Sequence, residues 1–391
     1  YNESLPKLEK FQKTISKPIF ISGLNDHNSK ISNVILAPSQ AGKGRKFFFK
    51  KKNSLYLSDN SMNSNKVSMN EMNRTKSDVV DEKIAISDSF LKSKMNNYSK
   101  DVSSFSKQLI RETIDYERQS ILRNFDKNNS VFEQTCIKGV IESVNKKPVH
   151  FLTIGNSEID IHCVESLLSA LEGLSIDNID IIVAGDNHLP TLDGSSLAWV
   201  SNIEEAGIIY SKSGGYGSNE FHIKKRRKFR NYSKKSFSIY DNESFIKYVP
   251  NNESKITVGI DFSEVAPIIG KQWVTYNLYS DDHYKWEIAS SKNYFISLDQ
   301  MYELAEQGFY QFIDEKAMNI ANFDKWINKD LLSYQATECA RNEIKNIMGC
   351  FSLLNTHGNG GIPVGHVICY KPSYELVIRF CKIFKDLSIL I

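Results

Sequence analysis

Three things are scarce in this 391-residue chain, and each scarcity closes off a class of protein. Cysteine is the first. The six residues (Cys136, Cys163, Cys339, Cys350, Cys369, Cys381) are scattered and never spaced C-x-x-C, so they do not make a disulfide scaffold. They read as reduced, mostly buried thiols in a reducing compartment. Net charge is the second: 49 Lys+Arg against 46 Asp+Glu leave +3, too little to demand a polyanionic partner. Long apolar runs are the third. None approaches the roughly 18 residues that a membrane-spanning helix needs, so no transmembrane segment is expected. What remains is ordinary for a globular protein, 41% hydrophobic and 24% charged, with length for two or three domains. The chain opens on Tyr1. Its start is therefore expected upstream or processed away, and a targeting peptide would fall outside it.

Short apolar runs such as Pro18–Ile21 and Val34–Leu36, broken by Gly23 and polar clusters, predict strands over residues 8–50. Residues 52–130 are rich in Ser, Asn, Lys and Met and lack a sustained period. They cannot bury enough apolar area to offset ordering entropy, and read as a disordered or loosely helical insertion, with helical spacing over Ser104–Arg123. The pattern then becomes dense: strands over Ile137–Val144 and Val149–Ile154, a helix over Val164–Gly173, a strand over Ile179–Val183. Val164, Leu167, Leu168, Leu171 and Leu174 follow helical spacing and mark its buried face. A second unit begins near Glu220. It has strands at Ile256–Ile260 and Trp273–Leu278, helices around 297–308 and 336–354, a strand over Val364–Tyr370 and a terminal helix.

The segment Cys163-Val164-Glu165-Ser166-Leu167-Leu168, followed by Ala170-Leu171-Glu172-Gly173-Leu174-Ser175-Ile176-Asp177-Asn178 and by Pro190-Thr191-Leu192-Asp193-Gly194-Ser195, resembles a family signature. In the UDP-3-O-acyl-N-acetylglucosamine deacetylases, zinc hydrolases of lipid A biosynthesis, it reads T-V-E-H-L, A-L-x-G-L-G-I-D-N and P-I-x-D-G-S. Ile260-Asp261-Phe262 with Pro267–Gly270, Glu287–Phe295 and Ile362–Lys371 are similar, in order, to later segments of that family. The resemblance implies an α+β fold: two α/β sandwich domains of similar topology, packed face to face, over 8–212 (with the insertion at 52–130) and 219–391.

Zinc hydrolysis needs a metal that polarises a carbonyl and acidifies a water, a carboxylate base and an acid for the leaving amine. The resemblance assigns the family's ligands to a histidine after T-V-E and to the ends of an H-K-x-x-D run on a later helix. Here those positions hold Ser166, Asn342 and Asn346, the family's lysine is Glu343, and the next acidic residue is Cys350. Asn342, Asn346 and Cys350 form an i, i+4, i+8 stripe. A hydroxyl and two amides are poor zinc ligands, so the family's zinc is not expected here and no other cofactor is implied. His162 falls in the preceding strand-like segment. Tyr374 stands where the resemblance places the acid histidine, and its usual pKa near 10 makes it a weak donor. Asn293, Tyr294 and Lys371 occupy substrate-contact positions, and Gln311–Asp314 replaces a glycine loop. Only Glu165 is retained, at the general-base position.

The pattern of losses implies a catalytically inactive, zinc-free relative that acts as a binding or assembly subunit. Its protein partner is unidentified, and a nucleotide-sugar lipid is a candidate occupant of the interdomain cleft. The alternative is an active deacetylase with a rearranged site around Glu165 and His162. Basic runs at 43–76 and 222–235 read as solvated faces and loop ends, and nucleic acid is not expected as a partner. Ala41–Lys43, His357–Gly361 and Asp193–Ser195 read as turns.

Overall fold

The computed structural model describes residues 10–25, 27–28, 30–51, 136–144, 150–213, 222–278, 281–310 and 318–391. The expected insertion at 52–130, the helical spacing at Ser104–Arg123 and the Gln311–Asp314 loop lie outside the described residues.

The first half is a five-stranded sheet and a buried helix. Strands β1 (Ile19–Asn25), β2 (Lys30–Pro38), β3 (Arg45–Lys51) and β4 (Cys136–Lys138) are followed by a short antiparallel pair, β5 (Thr153–Gly155) and β6 (Asp160–His162). Helix α1 (Glu165–Gly173), strand β7 (Ile179–Gly185) and helix α2 (Leu197–Ala206) complete it. The sheet order is β1-β2-β7-β3-β4, with β7 parallel to β3 and every other pair antiparallel. The last strand in sequence is thus the central one. Its near-continuous run Ile179-Asp180-Ile181-Ile182-Val183 suits a strand covered on both faces.

The second half repeats that wiring. Strands β8 (Phe237–Asp241), β9 (Ser244–Val249), β10 (Ser254–Asp261) and β11 (Lys271–Asn277) lead to β12 (Asn293–Phe295), helix α3 (Leu298–Glu306) and β13 (Met318–Asn322). Helix α4 (Glu338–Ser352), β14 (Gly365–Tyr370) and helix α5 (Tyr374–Asp386) follow. The sheet order is β8-β9-β14-β10-β11, with β14 parallel to β10 and the rest antiparallel. The fold is α+β, two similar sheet-and-helix halves, as the resemblance implied.

Helices α1 and α4 pack against each other between the sheets. Every residue of α1 except Ser166 is buried, which is what a helix covered all round requires. Close approach depends on glycine: a Cβ at Gly349 would lie 2.5 Å from the Glu165 carbonyl oxygen, and one at Gly173 would lie 2.3 Å from the Tyr284 ring. Val164 and Leu168 from one half join Ile344, Met348 and Phe351 from the other in a single apolar core.

A buried ion network ties the halves together. Glu172 forms ion pairs with Arg45 and Arg226 at 2.9 Å each and accepts the Gly361 N–H at 3.0 Å, and Arg226 also reaches Asp177 at 2.6 Å. Burial pushes the Glu172 carboxyl up, but the two guanidiniums outweigh it and hold it below the usual range. Arg226 corrects the reading of 222–235 as a solvated run: this residue leaves only 4% of its side chain exposed. Two strand boundaries also differ from expectation. The strand expected over 137–144 ends at Lys138, because the chain turns at Gly139 and Ile141 donates its N–H to the Leu353 carbonyl at 2.7 Å. Of the strand expected over 149–154, the described residues pair as strand from Thr153. No described helix is long and apolar enough to cross a membrane.

Candidate functional site

A cavity of about 360 Å³ opens where the two halves meet. Its walls come from the first turn of α1 (Glu165), one face of α4 (Asn342, Glu343, Asn346, Cys350), strand β12 (Asn293, Tyr294, Phe295) and the start of α5 (Tyr374), with His27, His150 and Tyr310 at one end. Helical spacing explains the α4 wall, since residues four apart share a face.

Glu165 begins α1, and its Oε2 accepts the Leu152 N–H at 3.1 Å, which fixes the helix start against the preceding segment. Burial raises its carboxyl pKa above the ordinary range, opposed by its own N–H, the Leu152 N–H and the Lys345 ammonium. On the facing helix the two amides at the expected ligand positions pair with their surroundings. Asn346 Nδ2 donates to Asn342 Oδ1 at 3.1 Å, and Asn342 Nδ2 donates to Asn293 Oδ1 at 3.3 Å. Lys345 Nζ donates to the same Asn293 oxygen at 2.9 Å. Asn293 is held in turn by its N–H to the Gly194 carbonyl at 3.0 Å, so the Asp193–Ser195 turn braces this wall.

Sequence reasoning missed Lys345. It is 0% exposed, and burial lowers its pKa to about 8 against the opposing pull of Glu165, Asp193, Glu343 and Glu338. The available signal was its helical phase, three residues from Asn342 and three and four from buried Met348 and Gly349. Glu343 accepts the Tyr294 hydroxyl at 2.9 Å, and burial raises its carboxyl.

The structure gathers Glu165, Asn293, Tyr294, Asn342, Asn346 and Tyr374 around one cavity. Two of the expected residues do not line it. Lys371 pairs with Glu243 at 2.8 Å, and Ser166 offers its backbone carbonyl to Ser196 Oγ at 2.8 Å. His162, named for a rearranged site, also stands apart. Its Nδ1 lies 2.9 Å from Thr153 Oγ1, and its ring sits 4.4 Å from that of His188.

The residues present do not fit a zinc ion. Asn342 Oδ1 is already engaged, Asn346 Oδ1 is a single neutral oxygen, Ser166 is not on the cavity wall, and an ammonium sits beside them. Catalytic zinc takes three ligands from His, Asp, Glu or Cys, and among the described residues no group of three such side chains is placed to hold an ion.

A family model described as UDP-3-O-acyl N-acetylglycosamine deacetylase (LpxC) matches residues 119–385. The chain is 30% identical over 253 residues to "Probable UDP-3-O-acyl-N-acetylglucosamine deacetylase 1, mitochondrial" of Arabidopsis thaliana, covering 63% of this chain and 74% of that one. It is 30% identical over 237 residues to the UDP-3-O-acyl-N-acetylglucosamine deacetylase of Nostoc sp., covering 60% and 77%. A protein of the same name from Thermosynechococcus vestitus is 26% identical over 249 residues, covering 64% and 78%.

Proposed function

The chain belongs to the UDP-3-O-acyl N-acetylglycosamine deacetylase family, and we propose that it is a catalytically silent, zinc-free member that serves as a binding or assembly subunit. One observation carries this reading: the side chains at the metal positions on α4 form an amide chain, Asn346 to Asn342 to Asn293, that ends on the Lys345 ammonium. With Asn342 Oδ1 and Asn293 Oδ1 engaged, Asn346 Oδ1 is left as one neutral oxygen, too little to hold a cation. The acid position supports it as well, because burial drives the Tyr374 hydroxyl well above its ordinary pKa and removes it further from proton donation near neutral pH. The cavity retains apolar surface at Phe295, Ile296 and Met318 beside polar groups, which suits a ligand with an acyl chain and a sugar head. We assign it a nucleotide-sugar lipid as occupant. Metal analysis of the purified protein is expected to find substoichiometric zinc, and tightly held stoichiometric zinc refutes the reading.

A second reading, an active deacetylase with a rearranged site, draws on the retention of Glu165 in the cavity wall. It requires turnover of an N-acetylglucosaminyl lipid precursor that Glu165→Ala abolishes.

A further inference from the structure

Lys345 is buried on α4 with no exposed surface, where a lone ammonium is costly to hold. What holds it is charge from several elements at once. Glu165 on α1, Asp193 in the turn after β7, and Glu343 and Glu338 on α4 all act on it, Glu165 most strongly. Its Nζ shares the Asn293 Oδ1 acceptor with Asn342, so the ammonium sits beside the amide that occupies one of the family's ligand positions.

We propose that the Lys345 ammonium, buried behind the cavity wall and bonded to its Asn293, takes the place of a metal cation at this site: it supplies from within the fold a positive charge that acts on Glu165, and it bars a divalent metal from the site even when metal ligands are provided. The inference rests on the zinc-free reading and adds the residue responsible for it. The loss of ligands alone would leave Glu165, a buried carboxylate, without a counter-charge. A lysine at the adjacent helical position supplies one, and a second cation brought close to that ammonium meets repulsion.

The test installs the missing ligands with and without the lysine. One protein carries Ser166→His, Asn342→His and Asn346→Asp, and the other carries these three and Lys345→Leu. Zn²⁺ affinity is measured by competition with a chromophoric chelator. The protein that keeps Lys345 is expected to bind Zn²⁺ at least about a hundred-fold more weakly. Equal affinities overturn the proposal. A second measurement protects against variants that fail to fold: urea unfolding of Lys345→Met, Glu165→Gln and the double variant in the otherwise unaltered chain. The resident-cation role requires the double variant to lose less stability than the two single losses combined, and additive losses overturn it. Additive losses in a chain that purifies without zinc defeat Lys345 alone. Stoichiometric zinc in the unaltered chain defeats the zinc-free reading, whatever the cycle shows.

Discussion

The contact between α1 and α4 makes a sharp prediction for Gly349→Ala. Glycine in the middle of a helix is normally a weakness, and alanine there gains about 1 kcal/mol in propensity. In this helix the new methyl would lie 2.5 Å from the Glu165 carbonyl oxygen, 3.0 Å from its Cα and 3.1 Å from its carbonyl carbon. The first distance falls about 0.9 Å short of the 3.4 Å at which ordinary contact begins. The obstacle is backbone, so no rotamer change relieves it, and the two helices must separate. Overpacking of this kind costs about 3 kcal/mol at the upper end of the usual range. The net is a loss of about 2 kcal/mol, or a fall in Tm of roughly 4–8 °C for a domain of this size. Thermal and urea unfolding measure it. A variant as stable as the original, or more stable, would mean that propensity outweighs the contact and that the helices are not in register at this point.

Two further perturbations probe other buried groups. Glu172→Gln leaves Arg45 and Arg226 buried opposite a neutral amide and is expected to cost about 3–5 kcal/mol in urea unfolding; a loss under about 1 kcal/mol would show that the network is dispensable. His27 is held neutral by burial, then by His188, His150 and His162, with its pKa lowered from 6.5 to about 3. Because the folded pKa is depressed, the unfolded chain takes up a proton that the folded chain refuses. Stability should therefore fall as pH drops from 6.5 towards 3, by about 1.4 kcal/mol per unit. His27→Gln should flatten this slope, and an unchanged slope argues against the assignment.

Much of this architecture was legible from residue spacing. The leucines of α1 give its buried face and place its start within one residue of Glu165, and the i, i+4, i+8 positions of α4 do share one wall. Other features depended on partners distant in sequence. A lysine in a helix reads as solvated until carboxylates from elsewhere converge on it, as they do on Lys345, and Arg226 reads as part of a surface run until Glu172 and Asp177 hold it. Lys371 lies only three residues from Tyr374, yet it leaves β14 with a positive φ of 46° and turns to Glu243, while Ser373 caps α5 and aims Tyr374 at the cavity. Short range in sequence did not guarantee a shared site.

The repeated strand order has a kinetic consequence. In each sheet two antiparallel pairs precede the closing strand in the chain, β1-β2 with β3-β4 and β8-β9 with β10-β11, and are joined only when β7 or β14 comes between them. Each sheet is closed by a strand made after its helix, α1 or α4; of the earlier pairs, β1-β2, β8-β9 and β10-β11 are local, whereas β3 ends at Lys51 and β4 begins only at Cys136. Folding should show two late, non-local closing steps, each slowed by the entropy of bringing distant segments together. During synthesis the edges destined for β14 stay open until Tyr370 has emerged, and a bound chaperone or partner would find its docking edge there.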